Sequence, residues 1–119
     1  MPTLQVRWGT TANNLWCPLR NNDFSTLVGS GVYIIWGGQR TVKVGQSDDS
    51  EGIGRRLSSH SRDTTILDYE QFLGILFVTW ANLLPQYLNG VERFLGDHYR
   101  PIIGDRFPNA VPISVNLPG

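Results

Sequence analysis

The side chains best placed to do chemistry in this sequence are Tyr33, Lys43, Arg56, His60 and Glu92. Arg56 and His60 stand at i and i+4, so a helix through them would carry both on one side. The guanidinium of Arg56 offers a fixed fork of donors that matches a phosphate. Glu92 brings a carboxylate, the natural hard ligand for a divalent cation that stabilises charge on phosphoryl oxygens. A phenol whose pKa is lowered by a nearby cation or a metal-bound water can act as a general base, and Tyr33 is the candidate. Lys43 has two available tasks, lowering the pKa of Tyr33 or contacting phosphate directly. His60 could relay the proton or hold Tyr33 by a hydrogen bond. Hydrolysis of a phosphodiester asks for this set of groups.

Taken singly, each residue has a plainer reading. A tyrosine in a Gly-Val-Tyr strand is usually a half-buried core aromatic. Arg56 and His60 alone would usually be a solvated helix face. A glutamate beside an apolar stripe is commonly an ion-pair partner. Lys43 in a β-run is less ordinary, although edge strands use lysine. His98 reads as structural or exposed, and Cys17 as a small buried residue.

Several elements must position these groups. Two β-branched runs, 32–36 and 41–44, flank Gly37 and Gly38 and predict a β-hairpin with glycine at its turn. Gly31 and Gly45 bound it, which suits close approach of the backbone to another element or ligand. A polar loop over 47–51 offers N-caps for a helix over about 54–61, with Ile53 and Leu57 on its core side. Residues 69–80 are apolar on both faces and read as a central strand. Residues 83–100 read as the main helix, with Pro85 in its first turn and Pro101 beyond its end. Leu84, Leu88, Val91, Leu95 and Tyr99 form its apolar stripe, and Glu92 sits at the stripe's edge. Gly90 costs that helix about 1 kcal/mol against alanine, which suggests a close neighbour. At the N-terminus, Leu4, Val6 and Trp8 alternate with polar residues, and a short run over 15–19 would complete a β-hairpin. Residues 102–119 read as an irregular or strand-like wrap.

In their order along the chain, these features resemble the GIY-YIG nuclease superfamily. The first motif stands as Gly31, Val32 and Tyr33, and the second as Lys43, Val44 and Gly45, with lysine replacing the usual tyrosine. The helical Arg-Leu-x-x-His element follows at Arg56 to His60, and the helical glutamate at Glu92. The lysine looks similar to that of some restriction-enzyme and phage-type branches, so nothing carries over from the repair and homing branches.

The resemblance implies an α/β fold: a small three-stranded central sheet (31–36, 41–45, 71–80) flanked by helices; the N-terminal β-hairpin lies outside that core and extends or covers one edge. It implies a single domain over 1–119, with an extension at 1–29 and the nuclease-like core at 30–119. It implies a metal-dependent endonuclease in which one Mg2+ (or Mn2+) is held by Glu92 and waters, with Tyr33, Lys43, Arg56 and His60 also catalytic. Gly31 and Gly45 would support the site. So would an asparagine beyond the metal-binding helix, for which Asn116, between Val115 and Leu117, is preferred over Asn109. For Tyr33 and Lys43 to share a face, paired residue numbers must sum to an even value. That predicts an odd-length loop such as 37–39, which would pair Tyr33 with Lys43.

Composition bounds the rest. The chain has 119 residues, room for one domain. One cysteine excludes an internal disulfide and points to a reducing, cytoplasmic setting. No signal peptide or apolar span is visible, so no membrane partner is expected. Ten basic and ten acidic residues cancel, which argues against tight non-specific nucleic-acid binding. Lys43 is the only lysine, every other cation being arginine. P-loop, dinucleotide and serine-hydrolase signatures are absent. The expected partner is nucleic acid, DNA ahead of RNA, and dimerisation is one way so small a domain could cut both strands. A non-catalytic binding module of the same fold and an RNA-cleaving toxin or effector domain are the rival readings.

Overall fold

The structure, a computed structural model, describes residues 3–9, 17–20, 22–38, 40–48, 52–104 and 109–118. Residues 10–14 of the polar turn expected over 9–14, Leu15 and Trp16, Gln39 of the hairpin loop, and most of the loop over 47–51 lie outside them.

The two β-rich runs pair as antiparallel strands β2 (Gly31–Gly37) and β3 (Arg40–Ser47). Gly38 has φ 60°, the left-handed conformation a glycine turn supplies. The ladder closes at Gly37↔Arg40, so the loop holds two residues and not the odd number expected. Such a loop alone would put Lys43 on the face opposite Tyr33. A bulge corrects the parity: Trp36 faces Thr41 while Ile35 faces Lys43, leaving Val42 as the extra residue. Beyond the bulge Tyr33 faces Gly45, and Lys43, opposite Ile35, lies on the same face two pairs along. The shared face therefore holds, but the loop length and the expected Tyr33–Lys43 pair do not.

Strand β4 (Leu76–Asn82) pairs with the other side of β2, and the two-residue β1 (Cys17–Pro18) pairs with β4. The result is a compact α/β domain whose antiparallel sheet has four strands, not three, in the order β1-β4-β2-β3. The strand expected over 71–80 starts only at Leu76. Before it, the chain makes two short helical turns, α2 (Thr64–Leu67) and α3 (Glu70–Leu73). Asp63 starts the first by accepting a hydrogen bond from the Thr65 backbone at 3.0 Å, and Gly74 (φ 79°) ends the second. Ile66 and Leu67 are buried and Phe72 is exposed, so the apolar density of this stretch reflects helical turns with one covered side.

The N-terminal hairpin is also corrected. Among the described residues, 3–9 do not pair with 17–19. Leu4 bridges Val115 in parallel, Gly9 bridges Trp80, and Cys17 and Pro18 pair with Val78 and Phe77. The alternation of Leu4, Val6 and Trp8 is real, since all three pack on the core. The segment is held by isolated bridges at Leu4 and Gly9 and does not form the expected strand.

Helix α1 (Ile53–His60) begins at Gly52 (φ 81°) with no side-chain cap, although the preceding loop is rich in capping residues. The main helix α4 (Leu88–Tyr99) is shorter than the expected 83–100, because Pro85 opens a separate 3-10 turn (Pro85–Tyr87). Arg100 closes it in the left-handed conformation, followed by Pro101. Gly90 does have a close neighbour: a Cβ there would stand 2.5 Å from Ile113 of the C-terminal wrap, whose N–H bonds the Gly90 carbonyl.

The sheet has a core on each face. Tyr33, Ile35 and Val42 pack with Ile53 and Leu57 of α1, while Val32, Ile34 and Val44 pack with Leu88, Val91 and Leu95 of α4. β3 is the sheet's last strand, and Ile102 and Ile103 lie along its outer side at Thr41 and Val42. Among the described residues, no helix is long and apolar enough to cross a membrane.

Candidate active site

Tyr33 is fully buried in the middle of β2, and its phenol lies across Gly45 of β3. A Cβ at Gly45 would overlap the phenol oxygen and Cζ, so glycine is required there by close approach. Gly45→Ala should displace the ring and destabilise the fold by about 1–3 kcal/mol, as overpacking does. Urea denaturation measures this, and an unchanged midpoint would show that the ring does not rest on Gly45.

The phenol reaches His60, with Tyr33 Oη and His60 Nε2 2.7 Å apart. Helix α1 supplies this partner from its last turn, where His60 is 8% exposed. Arg56, one turn earlier, directs Nε toward the same phenol oxygen at a long 3.5 Å. An arginine can only donate, so the tyrosine proton is directed to Nε2 and His60 accepts it, keeping its own proton on Nδ1. Burial, then the charges of Arg56 and Lys43, push the His60 pKa from 6.5 to about 4, with Asp63 pulling the other way. His60 is therefore neutral at neutral pH.

That shift has a consequence for stability. The folded pKa is below the unfolded one, so the unfolded chain takes up the proton first as pH falls. The contribution is complete above pH 6.5 and is lost as pH falls toward about 4. The loss amounts to roughly 3 kcal/mol. Urea melts across this window should show that slope, and His60→Gln should remove it. A slope that persists in His60→Gln would assign it to other groups.

Lys43 is half-buried on the Tyr33 face. Burial and the charge of Arg56 lower its pKa, while Glu92 and Asp63 oppose them. Glu92 comes from the other side of the sheet, since α4 packs on the face that carries Val44. The charges of Lys43 and Arg56 are nevertheless both felt at Glu92. Burial raises the Glu92 pKa, opposed by a hydrogen bond from Gln46 and by those two cations. Contacts thus join Tyr33, His60 and Arg56, while Lys43 and Glu92 act on this group through their charges.

Gln46 is the residue that the sequence reading missed. Its Nε2 donates to Glu92 Oε2 at 2.7 Å and to Asn89 Oδ1 at 2.8 Å. Alternation along β3 places residue 46 opposite in sense to Lys43 and Gly45, and hence toward α4. That was a usable signal.

The expected supporting residues divide. Gly45 is part of the site, whereas a Cβ at Gly31 would overlap the Ala81 carbonyl, so Gly31 serves the packing of β4. Asn116 spends both ends of its amide on Val6: Oδ1 accepts from the Val6 N–H at 2.6 Å and Nδ2 donates to its carbonyl at 2.9 Å. It pins the extended N-terminal segment, not the backbone around Tyr33. Asn109 is exposed. Cys17 is buried and His98 is exposed against Phe94 and Tyr99.

The donor set decides which metals would suit. Among the described residues, no group of three or more His, Cys, Asp or Glu side chains converges. One carboxylate with neutral amides beside it fits a hard cation that keeps most of its waters, as Mg2+ does.

Compared with known proteins, the chain matches no family model, and no curated protein or solved structure matches it.

Proposed function

We propose that the chain is a metal-dependent endonuclease of the GIY-YIG type, hydrolysing nucleic-acid phosphodiester bonds. The observation that carries this reading is the 2.7 Å contact of Tyr33 with a neutral His60, seated over Gly45 and bordered by Arg56 and Lys43. A core tyrosine needs no such surroundings; a general base for an anionic substrate does.

Glu92 would hold the divalent cation, which when bound stabilises charge on the phosphoryl and leaving oxygens. Arg56 and Lys43 attract and orient the phosphate. As the attacking water gives its proton to the phenol oxygen, the tyrosine's own proton passes to His60 Nε2. Burial, followed by the charges of Arg56 and Lys43, makes His60 a poor base. A phosphodiester between them cancels part of their pull and raises its basicity when substrate is in place. Burial of Tyr33 and His60 keeps the relay out of bulk water.

The test is cleavage of plasmid DNA, single-stranded DNA and structured RNA, with Mg2+ or Mn2+ and with chelator, beside Arg56→Ala. Cleavage of one substrate class that stops in chelator and in the variant supports the reading and names the substrate. A folded wild type that binds nucleic acid in chelator and cleaves nothing with metal would make the domain a binding module, which its zero net charge also fits.

A further inference from the structure

We infer that Gln46 is a positioning residue that holds the Glu92 carboxylate in the orientation that takes the cation, with Asn89 locking the carboxamide in place. This rests on the metal role of Glu92 proposed above. The primary amide of Gln46 has two N–H bonds, and the two contacts at 2.7 Å and 2.8 Å use both. Its rotation is therefore defined from two sides. Asn89 and Glu92 lie at i and i+3 on α4, so one strand residue clamps two successive positions of one helix face.

The need for such a clamp follows from the charges. Glu92 sits within reach of the fields of Lys43 and Arg56. A free carboxylate beside a guanidinium tends to pair with it through both oxygens, and such a pair would compete with a cation for the same lone pairs. A neutral amide ties Oε2 without cancelling the carboxylate's charge. Lysine or arginine at position 46 would hold the group equally well but would repel the metal.

β3 thus organises both halves of the site by alternation. Lys43 and Gly45 serve the Tyr33 side, and Gln46 serves the Glu92 side. Outer partners of this kind typically change metal affinity 10–100-fold when removed.

The experiment titrates Mn2+ into the whole chain without substrate, followed by electron spin resonance of the free ion. It uses wild type, Gln46→Met, Glu92→Gln and the double variant. The expected result is a Glu92-dependent site in wild type that weakens about 10–100-fold in Gln46→Met. In the Glu92→Gln background, Gln46→Met should add nothing. In cleavage assays, the half-saturating Mn2+ should rise by the same factor, while the rate at saturating metal stays within a few-fold of wild type. Asn89→Ala should weaken binding less, because the Gln46–Glu92 bond survives.

Unchanged Mn2+ affinity in a folded Gln46→Met protein would overturn the inference. So would a rate that saturating metal does not restore. If Gln46→Met melts early, Gln46→Ala removes the amide without adding apolar bulk and is read in the same way. A wild type that takes up no Mn2+ sinks the metal role of Glu92 itself, a pattern distinct from a Glu92-dependent site that ignores Gln46.

Discussion

Replacing Glu92 by alanine should reduce metal-dependent cleavage at least a hundredfold while leaving the fold and the affinity for nucleic acid in chelator near wild type. The side chain is half-buried at the rim of α4 and fills no core position, so its removal leaves no large cavity. Gln46 loses one acceptor but keeps Asn89. The structural cost is therefore about 1 kcal/mol or less. The catalytic cost is much larger, because a lost Lewis acid forfeits several kcal/mol of transition-state stabilisation. Cleavage rates beside a thermal melt and a binding titration in chelator separate the two. Full activity in Glu92→Ala would refute the metal assignment.

Tyr33→Phe should be the second large effect. The ring still lies over Gly45 and the core stays filled, so the change is confined to one hydroxyl. Losing a general base lowers the rate about 10²–10⁴-fold. The same deletion leaves the buried Nε2 of His60 without the phenol, which costs the fold about 1–3 kcal/mol. Measuring the rate well below the melting transition isolates the chemistry. A rate that falls only in proportion to the unfolded fraction would make the hydroxyl structural.

Much of this arrangement was legible in the residues. The β-branched runs around Gly37 and Gly38, the apolar stripe of α4 and the i, i+4 spacing of Arg56 and His60 are local signals, and the structure contains them. What was not legible was non-local or compensated. The shared face of Tyr33 and Lys43 was anticipated, but a bulge at Val42 delivers it, and a bulge in a uniform run of β-formers has no compositional mark. Residues 69–75 carry apolar side chains at a density that suits a buried strand, and only Asp63 and Gly74 hint at two helical turns. Residues 3–8 advertise a strand, yet their partner lies at the other end of the chain. Gln46 went unnoticed because a glutamine has no reactivity of its own; its meaning comes from the carboxylate it touches.

The pairing of the two chain ends also bears on how the protein is made. Val6 and Asn116 are 110 positions apart in sequence, and their reciprocal bonds join with Leu4↔Val115 to seat the segment 3–9. Translation delivers residues 3–8 long before their partners leave the ribosome. Until then Leu4, Val6 and Trp8 present one apolar edge to whatever is nearby. The docking of this segment therefore waits for residues 114–116 to emerge, and until then its apolar side chains are open to association with neighbouring chains.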